Sequence, residues 1–150
     1  MPVIGLLFSV FAGCLAGGIV PVINAELIVL AAAAAAPPEA LLPIIVLAST
    51  GQMLGKTALF YAGRGAIHLP VGSPRLAAGL AGWTERWSSA GGAVVFASAA
   101  AGLPPFYALS MACGASGMGI RVFLTAGFAG RFVRFGVIAF APHLFRIVTG

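Results

Sequence analysis

Residues 97–114 read ASAAAGLPPFYALSMACG, and this stretch decides which folds the chain can adopt. It is apolar enough to lie in lipid, but its middle cannot be an ordinary membrane-crossing helix. Pro104 and Pro105 have no backbone N–H, and the ring of each proline clashes with the preceding turn of a helix. Gly102 gives the backbone extra freedom just before the prolines. The stretch therefore predicts two helical arms with a break between them.

Neither arm is long enough to cross a bilayer. The arms cover residues 91–103 and 106–118, whereas a crossing helix needs roughly 20 residues. We therefore expect residues 91–118 to form a re-entrant hairpin, which enters the membrane and leaves it on the same side. Broken backbone at that depth is tolerated only inside protein or beside a water-filled cavity. The tip is thus a candidate functional site, formed by Gly102, Pro104, Pro105 and Tyr107.

The composition is that of an integral membrane protein. Of the 150 residues, 61% are hydrophobic and 7% are charged, whereas soluble proteins have about 25% charged residues. The length suits a single membrane domain over residues 1–150. The net charge of +5 comes from dispersed basic residues, so it does not indicate a nucleic-acid-binding surface.

The sequence contains no motif for a cofactor, a metal or an enzyme. Cys14 and Cys113 are isolated, with no CxxC pair and no histidine nearby in sequence, which indicates neither a metal site nor a redox site. No nucleophile–base pair and no phosphate-binding glycine loop occur. We therefore expect no cofactor and no enzyme activity.

The N-terminal part of the chain has the same plan as residues 91–118. A first apolar arm ends at Pro21, and a second arm, residues 27–36, follows Asn24 and Glu26. The second arm is too short to cross a membrane alone. We expect residues 3–36 to form another re-entrant hairpin, with Pro21 and Asn24 at its tip. The alternative is a full span by the first arm, which is nearly long enough.

Two further segments are typical of transmembrane helices. Residues 41–63 are apolar and contain Gly51 and Gly55 at a spacing that lets helices pack closely. Residues 120–142 form the second segment and carry Arg131 and Arg134 well inside it. A charge near the middle of a membrane helix costs at least about 2.5–3.5 kcal/mol, so these arginines need a structural or functional reason.

Residues 74–89 connect the two halves and are less hydrophobic than their neighbours. Trp83 and Trp87 lie four residues apart, on one face of a helix. We expect an interfacial helix here, lying in the plane of the membrane surface. The alternative is a solvated linker.

The two halves share a plan, in which a hairpin is followed by a glycine-marked helix that carries a cation. Gly55-Lys56 in the first half corresponds to Gly130-Arg131 in the second. Duplicated halves with broken helices are typical of several transporter folds, where the binding site lies at the repeat interface. The predicted fold is an all-α membrane protein built as a pseudo inverted repeat, with the short interfacial helix between its halves.

The basic residues predict the orientation of the chain, since cytoplasmic connections are rich in lysine and arginine. Four arginines flank connections on one side of the predicted membrane segments, and Arg146 lies on the other side. The first side should be cytoplasmic and both termini should lie opposite. The four are Arg64, Arg75, Arg86 and Arg121.

The charges inside the apolar segments suggest a binding site. Glu26 is the only acid well inside these segments, and its candidate partners are Lys56, Arg131 and Arg134. An ionisable group in the membrane is a functional hypothesis by default, because burying it alone is costly. We expect the four residues to bind an anionic headgroup, with Glu26 taking up a proton. The alternative is a structural ion pair that holds the halves together.

Several motifs resemble the DedA family, whose core is called the VTT or SNARE-associated domain, and most of all its short single-domain members. The segment from Pro21 to Glu26 and the apolar arm after it resemble the family's first hairpin. Residues 51–64, which contain Gly51, Gly55, Tyr61 and Arg64, are similar to the helix that follows it. Later positions fall in the family's order: Trp83, Arg86, Trp87, Gly92, Pro104, Gly114, Met118, Phe123 and Gly130.

This resemblance implies a multi-pass protein of the cytoplasmic membrane with two facing re-entrant hairpins. It also implies lipid translocation, because members flip undecaprenyl phosphate or scramble phospholipids, often with proton coupling. Family members commonly carry arginines three residues before and after the second hairpin's proline, where this chain has Ala101 and Tyr107. A further acid of the family falls near Gly17. Anion binding would therefore depend on Arg131 and Arg134.

The resulting prediction is a flippase or scramblase that moves an anionic lipid between leaflets, coupled to protons through Glu26. A non-transporting membrane scaffold or assembly factor is one alternative, because the hairpin arginines are missing. A small ion or solute transporter is another. Membrane lipids and protons are the expected partners, with a homodimer packed through glycine faces at Gly13, Gly17, Gly51 and Gly55.

Overall fold

A computed structural model describes residues 2–66 and 90–149, and these residues are almost entirely helical. The interfacial helix expected over residues 74–89 lies outside the described residues. The described elements are α1 (Pro2–Ile19), α2 (Ala25–Ala35), a short 3-10 helix (Pro38–Ala40), α3 (Leu41–Ala66), α4 (Gly91–Ala101), α5 (Phe106–Ala115) and α6 (Ile120–Thr149). Within this part of the chain no strand occurs, so the predicted all-α class is confirmed.

Two of the described helices are long and apolar enough to cross a membrane, as the sequence predicts. The qualifying segments are Pro38–Gly65 and Ile120–Val148. At 1.5 Å per residue, α3 and α6 are about 39 and 45 Å long, which exceeds the roughly 30 Å of a bilayer's hydrocarbon core. The last helix does not end at Pro142, as the sequence suggests, but continues to Thr149 with Pro142 inside it.

The break between α1 and α2 lies where Pro21 predicts it, and the two helices contact each other. The side chain of Asn24 caps α2, since its Oδ1 accepts hydrogen bonds from the backbone N–H of Glu26 at 2.9 Å and of Leu27 at 3.4 Å. These N–H groups have no partner inside the helix. The cap therefore fixes where α2 begins and places Glu26 in its first turn.

The break between α4 and α5 follows from Gly102 and the two prolines. Gly102 ends α4 with a left-handed backbone, at a φ of 83°, which residues with a Cβ rarely adopt. The peptide bond between Leu103 and Pro104 is cis. The buried Ser98 hydroxyl donates to the carbonyl of Pro104 at 2.5 Å, and α5 then begins directly after Pro105. A helix pair therefore forms here too, and its members contact each other.

The described chain divides into two compact units. The first unit contains residues Met1–Gly55 and Arg131–Gly150, and the second contains Lys56–Gly130. The core of the first unit combines side chains from α1, α2, the first half of α3 and the second half of α6. Its buried members include Val10, Cys14, Val29, Ala32, Ala33, Ile44, Ile45, Ala48, Phe135 and Ala139.

Glycines let α1 and α3 pack backbone to backbone in the first unit. A Cβ added at Gly55 would lie 2.5 Å from the carbonyl oxygen of Leu15 and 2.7 Å from the Cα of Gly18. The predicted packing role of Gly51 and Gly55 is thus confirmed, against α1 of the same chain. Gly13 and Gly17 also pack within the chain, against Ile28 and Ile23. The four glycines considered for a homodimer contact therefore all lie against other residues of the same chain.

In the second unit the same kind of contact joins α3 to α5 and α6 to α4. A Cβ at Gly63 would collide with the backbone of Met111, and one at Gly114 with the backbone of Phe60. A Cβ at Gly130 would lie 2.6 Å from the carbonyl oxygen of Phe96. Backbones in this unit therefore approach as closely as glycine allows.

Aromatic side chains also pack together in the second unit. The ring of Phe123 lies 4.8 Å from that of Phe60 and 5.9 Å from that of Phe106, measured between centroids. Arg64 stacks over Phe60 at 4.9 Å and donates to the carbonyl of Met118 at 2.6 Å. This arginine therefore ties the end of α3 to the connection between α5 and α6.

Candidate functional site

Glu26 occupies the second position of α2, directly after the cap formed by Asn24. The N-terminal turn of a helix carries partial positive charge, so a carboxylate is stabilised there. The cap fixes the first turn of α2, and the side chain of Glu26 is 37% exposed. The carboxylate is therefore held at the tip of the first helix pair and remains accessible.

The structure brings together Glu26 and Arg134, two of the residues that the sequence selects. Two nitrogens of Arg134 contact one oxygen of Glu26, with Nε at 2.7 Å and a terminal nitrogen at 2.5 Å from Oε1. The arginine side chain is 22% exposed. This contact joins α2 to α6 within the first unit, across 108 positions of sequence.

Arg131 belongs to the same unit and adds a second guanidinium to this group. It is 6% exposed, and its guanidinium lies 5.9 Å from the centre of the Phe135 ring. Its charge is repelled by Arg134 and attracted by Glu26. The first unit therefore brings two guanidinium groups within electrostatic range of one carboxylate.

Lys56 belongs to the second unit. It is 4% exposed, and its Nζ lies 5.0 Å from the centre of the Tyr107 ring, within range for a cation–π interaction. Tyr107 is the second residue of α5, just as Glu26 is the second residue of α2. In each unit, a cation from a long helix thus faces the second residue of the helix that follows a break.

Four of the residues predicted at the two breaks are exposed. Pro21 and Asn24 are exposed at the first break, and Pro104 and Pro105 are exposed at the second. The structure therefore distributes the candidate residues over two units. The first holds Pro21, Asn24, Glu26, Arg131 and Arg134, and the second holds Lys56, Gly102, Pro104, Pro105 and Tyr107.

Three polar residues of the first unit were not selected from the sequence. His143 Nε2 lies 3.1 Å from the carbonyl oxygen of Ala33, and Arg146 donates to that of Ala34 at 3.4 Å. Both side chains contact backbone carbonyl groups at the C-terminal end of α2, whose last turn contains no basic residue. Gln52 is buried on α3, and its Oε1 accepts no hydrogen bond from the described residues. Gln52 lies within an apolar segment and belongs to no motif, so the sequence does not single it out.

The histidine, cysteine and acidic side chains of the described residues form no group of three that would hold a metal ion. Cys14 lies buried in the first unit and Cys113 in the second. The comparisons with protein-family models, curated proteins and solved structures find no match for the chain. The family resemblance therefore depends on the residues quoted from the sequence.

Proposed function

We propose that the chain is a multi-pass protein of the cytoplasmic membrane, of the DedA type, that moves an anionic lipid between leaflets. In this proposal α3 and α6 cross the membrane, and the pairs α1–α2 and α4–α5 are re-entrant hairpins. Glu26 couples lipid movement to protons. The observation that carries the proposal is the accessible contact of Glu26 with Arg134, beside the second guanidinium of Arg131.

Exposed apolar surface supports a membrane location. At the end of α6, Leu144, Phe145, Ile147 and Val148 are between 60% and 84% exposed. Large side chains are also exposed on α1, α2 and α3, such as Phe8 at 71% and Leu27 at 62%. Apolar surface of this extent is rare on soluble monomers and marks contact with a membrane or a partner.

The composition of the two units supports an inverted repeat. Each unit contains one helix pair and one end of each long helix. The first has the N-terminal end of α3 and the C-terminal end of α6, and the second has the opposite ends. An inverted repeat would relate α3 to α6 and one helix pair to the other. Opposite ends of α3 and α6 would then belong to the same unit, as they do here. The corresponding glycines Gly55 and Gly130 each pack against the first helix of a pair.

The ion pair suggests how a proton and an anion are exchanged. An arginine fork that donates hydrogen bonds to a carboxylate can also donate them to the oxygens of a phosphate. Protonation of Glu26 removes its charge, so Arg134 can bind a headgroup phosphate in its place. For a phosphodiester with one negative charge, this exchange leaves the net charge of the site unchanged. Release of the proton lets Glu26 recapture Arg134 and displace the lipid.

The test uses purified protein in liposomes with a labelled anionic lipid in one leaflet. We expect the wild type to move the label and a proton gradient to change the rate. The variant Glu26→Gln should lower the rate about tenfold, the equivalent of 1.4 kcal/mol, and abolish the gradient dependence. The matched control is Glu39→Gln, since Glu39 is exposed in the 3-10 helix after α2.

Three outcomes would count against the proposal. Lipid movement that is unchanged in Glu26→Gln excludes this site. Loss of folding in that variant indicates that the contact with Arg134 is a structural ion pair. No movement by the wild type favours a membrane scaffold, for which the absence of arginine at Ala101 and Tyr107 is the supporting feature.

A further inference from the structure

The sequence shows that two carbonyl groups at the C-terminal end of α2 lack their helical donors. In a continuing helix, the carbonyls of Ala33 and Ala34 would accept from the N–H groups four residues later. Positions 37 and 38 are both proline, which has no N–H. The two carbonyls therefore need donors from outside α2. The prolines indicate which carbonyls are affected, but not which distant side chain reaches them.

Two side chains of α6 reach these two carbonyls. Nε2 of His143 lies 3.1 Å from the oxygen of Ala33, and Arg146 donates to that of Ala34 at 3.4 Å. Ala33 is fully buried. Ala34 is exposed and lies where the proposed hairpin leaves the membrane. An exposed carbonyl there can accept from water, whereas a buried one depends on a protein donor. His143 is therefore the donor on which this end of α2 depends.

The contact with Ala33 determines which nitrogen of His143 carries hydrogen. A carbonyl oxygen can only accept a hydrogen bond, so Nε2 must donate. In the other neutral tautomer, the lone pair of Nε2 would face the carbonyl oxygen and repel it. The hydrogen bond made by one ring nitrogen sets the tautomer of a histidine in this way. His143 therefore holds α2 only through an Nε2–H group.

This donor lies at the opposite end of α2 from Glu26. Seven residues, or about 10 Å of helix, separate Glu26 from Ala33, and Arg134 and His143 contact them in the same order along α6. The contact with Arg134 uses two nitrogens, at 2.7 and 2.5 Å from one oxygen. Hydrogen bonds of this kind rarely exceed about 3.2 Å. A shift of α2 along its axis by about 1 Å would therefore disturb both of them.

We propose that His143 is a positioning residue of the Glu26 site, whose Nε2–H group fixes α2 where the carboxylate of Glu26 meets Arg134. This inference rests on the proposed function. In this role His143 touches neither the lipid nor the transferred proton. It acts through the backbone carbonyl of Ala33, so the site requires a donor in the right place rather than the acid–base chemistry of imidazole.

Two substitutions separate the place of the donor from its presence. In His143→Gln the amide nitrogen lies nearly where Nε2 was, whereas in His143→Asn it lies nearer the backbone, where Nδ1 was. With a labelled anionic lipid in liposomes, His143→Gln should retain most of the wild-type rate. His143→Asn should lower the rate about three- to tenfold, as expected for the loss of one hydrogen bond. Equal rates in the two variants would overturn the inference.

Arg146→Ala is the matched control, because it removes the neighbouring contact to the exposed carbonyl of Ala34. It should keep the wild-type rate. A loss as large as that in His143→Asn would show that any contact at this end of α2 serves equally, which would also contradict the assigned role of His143.

A double variant tests whether His143 acts through Glu26. If it does, His143→Asn should lower the rate no further in the background of Glu26→Gln, because the contact that it positions is already lost. Residues that act through one contact show such non-additive effects. If the two losses multiply instead, His143 contributes only to the stability of the fold, and the inference is overturned.

Two measurements without transport separate this inference from the proposed function. His68 is the other histidine of the sequence, so His68→Gln leaves one imidazole, and nitrogen NMR of that protein in detergent should find the neutral ring protonated at Nε2. The fall in thermal midpoint of the double variant should also be smaller than the sum of the two single falls. Both results in a protein that moves no lipid would overturn only the transport function. An Nδ1–H ring or additive midpoints would overturn the inference even if lipid moves.

Discussion

At the scale of single residues, the contact between Glu26 and Arg134 depends on the shape of the guanidinium. Two nitrogens of one arginine reach the same carboxylate oxygen. A lysine in this position has one compact ammonium and cannot present two parallel donors. The contact with Glu26 therefore depends on arginine specifically, and a change to lysine should still weaken it although the charge is kept.

We expect Arg134→Lys to slow lipid movement about tenfold, because the fork that binds a phosphate is lost. The rate is measured in the same liposome assay, with the protein level matched. Arg121→Lys is the control, since Arg121 is exposed near the start of α6 in the second unit. An equal rate in Arg134→Lys and the wild type would show that charge alone suffices.

The cap at Asn24 makes a separate prediction about stability. Asn24→Ala removes the acceptor for two backbone N–H groups at the start of α2. Loss of such a cap costs about 0.5–2 kcal/mol, so the thermal midpoint of the purified protein should fall. Asn24→Asp keeps an acceptor and should restore the midpoint. If both variants unfold at the wild-type temperature, the cap does not stabilise α2.

At the scale of elements, close packing depends on glycines whose surroundings differ sharply. Gly114 of α5 lies against the backbone of Phe60, whereas a Cβ at Gly136 of α6 would meet nothing within 4 Å. Both are helical. The same substitution should therefore have opposite effects at the two positions.

Gly114→Ala should destabilise the protein by about 1–3 kcal/mol, because α3 and α5 must move apart. Gly136→Ala should be neutral or stabilise by up to about 1 kcal/mol, because alanine favours a helix more than glycine does. Chemical unfolding of both purified variants measures the difference. A larger loss at Gly136 than at Gly114 would contradict the packing described for the second unit.

The sequence predicted the helix boundaries where a residue cannot continue a helix. Pro21 and the pair Pro104-Pro105 cannot continue a helix, and both breaks occur there. Pro142 has the same chemistry but lies inside α6. Apolar residues continue on both sides of it, and neighbouring groups in a membrane protein can satisfy the carbonyl that a proline leaves unpaired. A proline alone therefore does not predict a helix end.

At the scale of the whole molecule, the orientation in the membrane is the most direct prediction. A fluorescent reporter that works only in the cytoplasm should stay dark when fused after Gly150. The same reporter inserted in the connection between α3 and α4 should be bright, because the arginines flanking it favour the cytoplasmic side. The opposite pattern would reverse the predicted topology.

Long-range partners were predictable only where few candidates existed. Glu26 is the only acid well inside the apolar segments, so charge alone predicted a partner among Lys56, Arg131 and Arg134, and the structure shows that the partner is Arg134. The contacts of His143 and Arg146 with α2 were not predictable, because their partners are backbone carbonyls that every residue carries. Gln52 was not selected from the sequence, because only the packed structure shows that no described residue donates a hydrogen bond to its Oε1. Such features depend on the packed structure.

The contacts at the two ends of α2 determine which helices of the first unit move together. Glu26 binds Arg134 near one end, and the carbonyls of Ala33 and Ala34 bind His143 and Arg146 near the other. The glycine contacts bring the backbone of α1 against that of α3. Any displacement of α6 within the first unit must therefore carry α2 with it, because α2 is fastened to α6 at both of its ends.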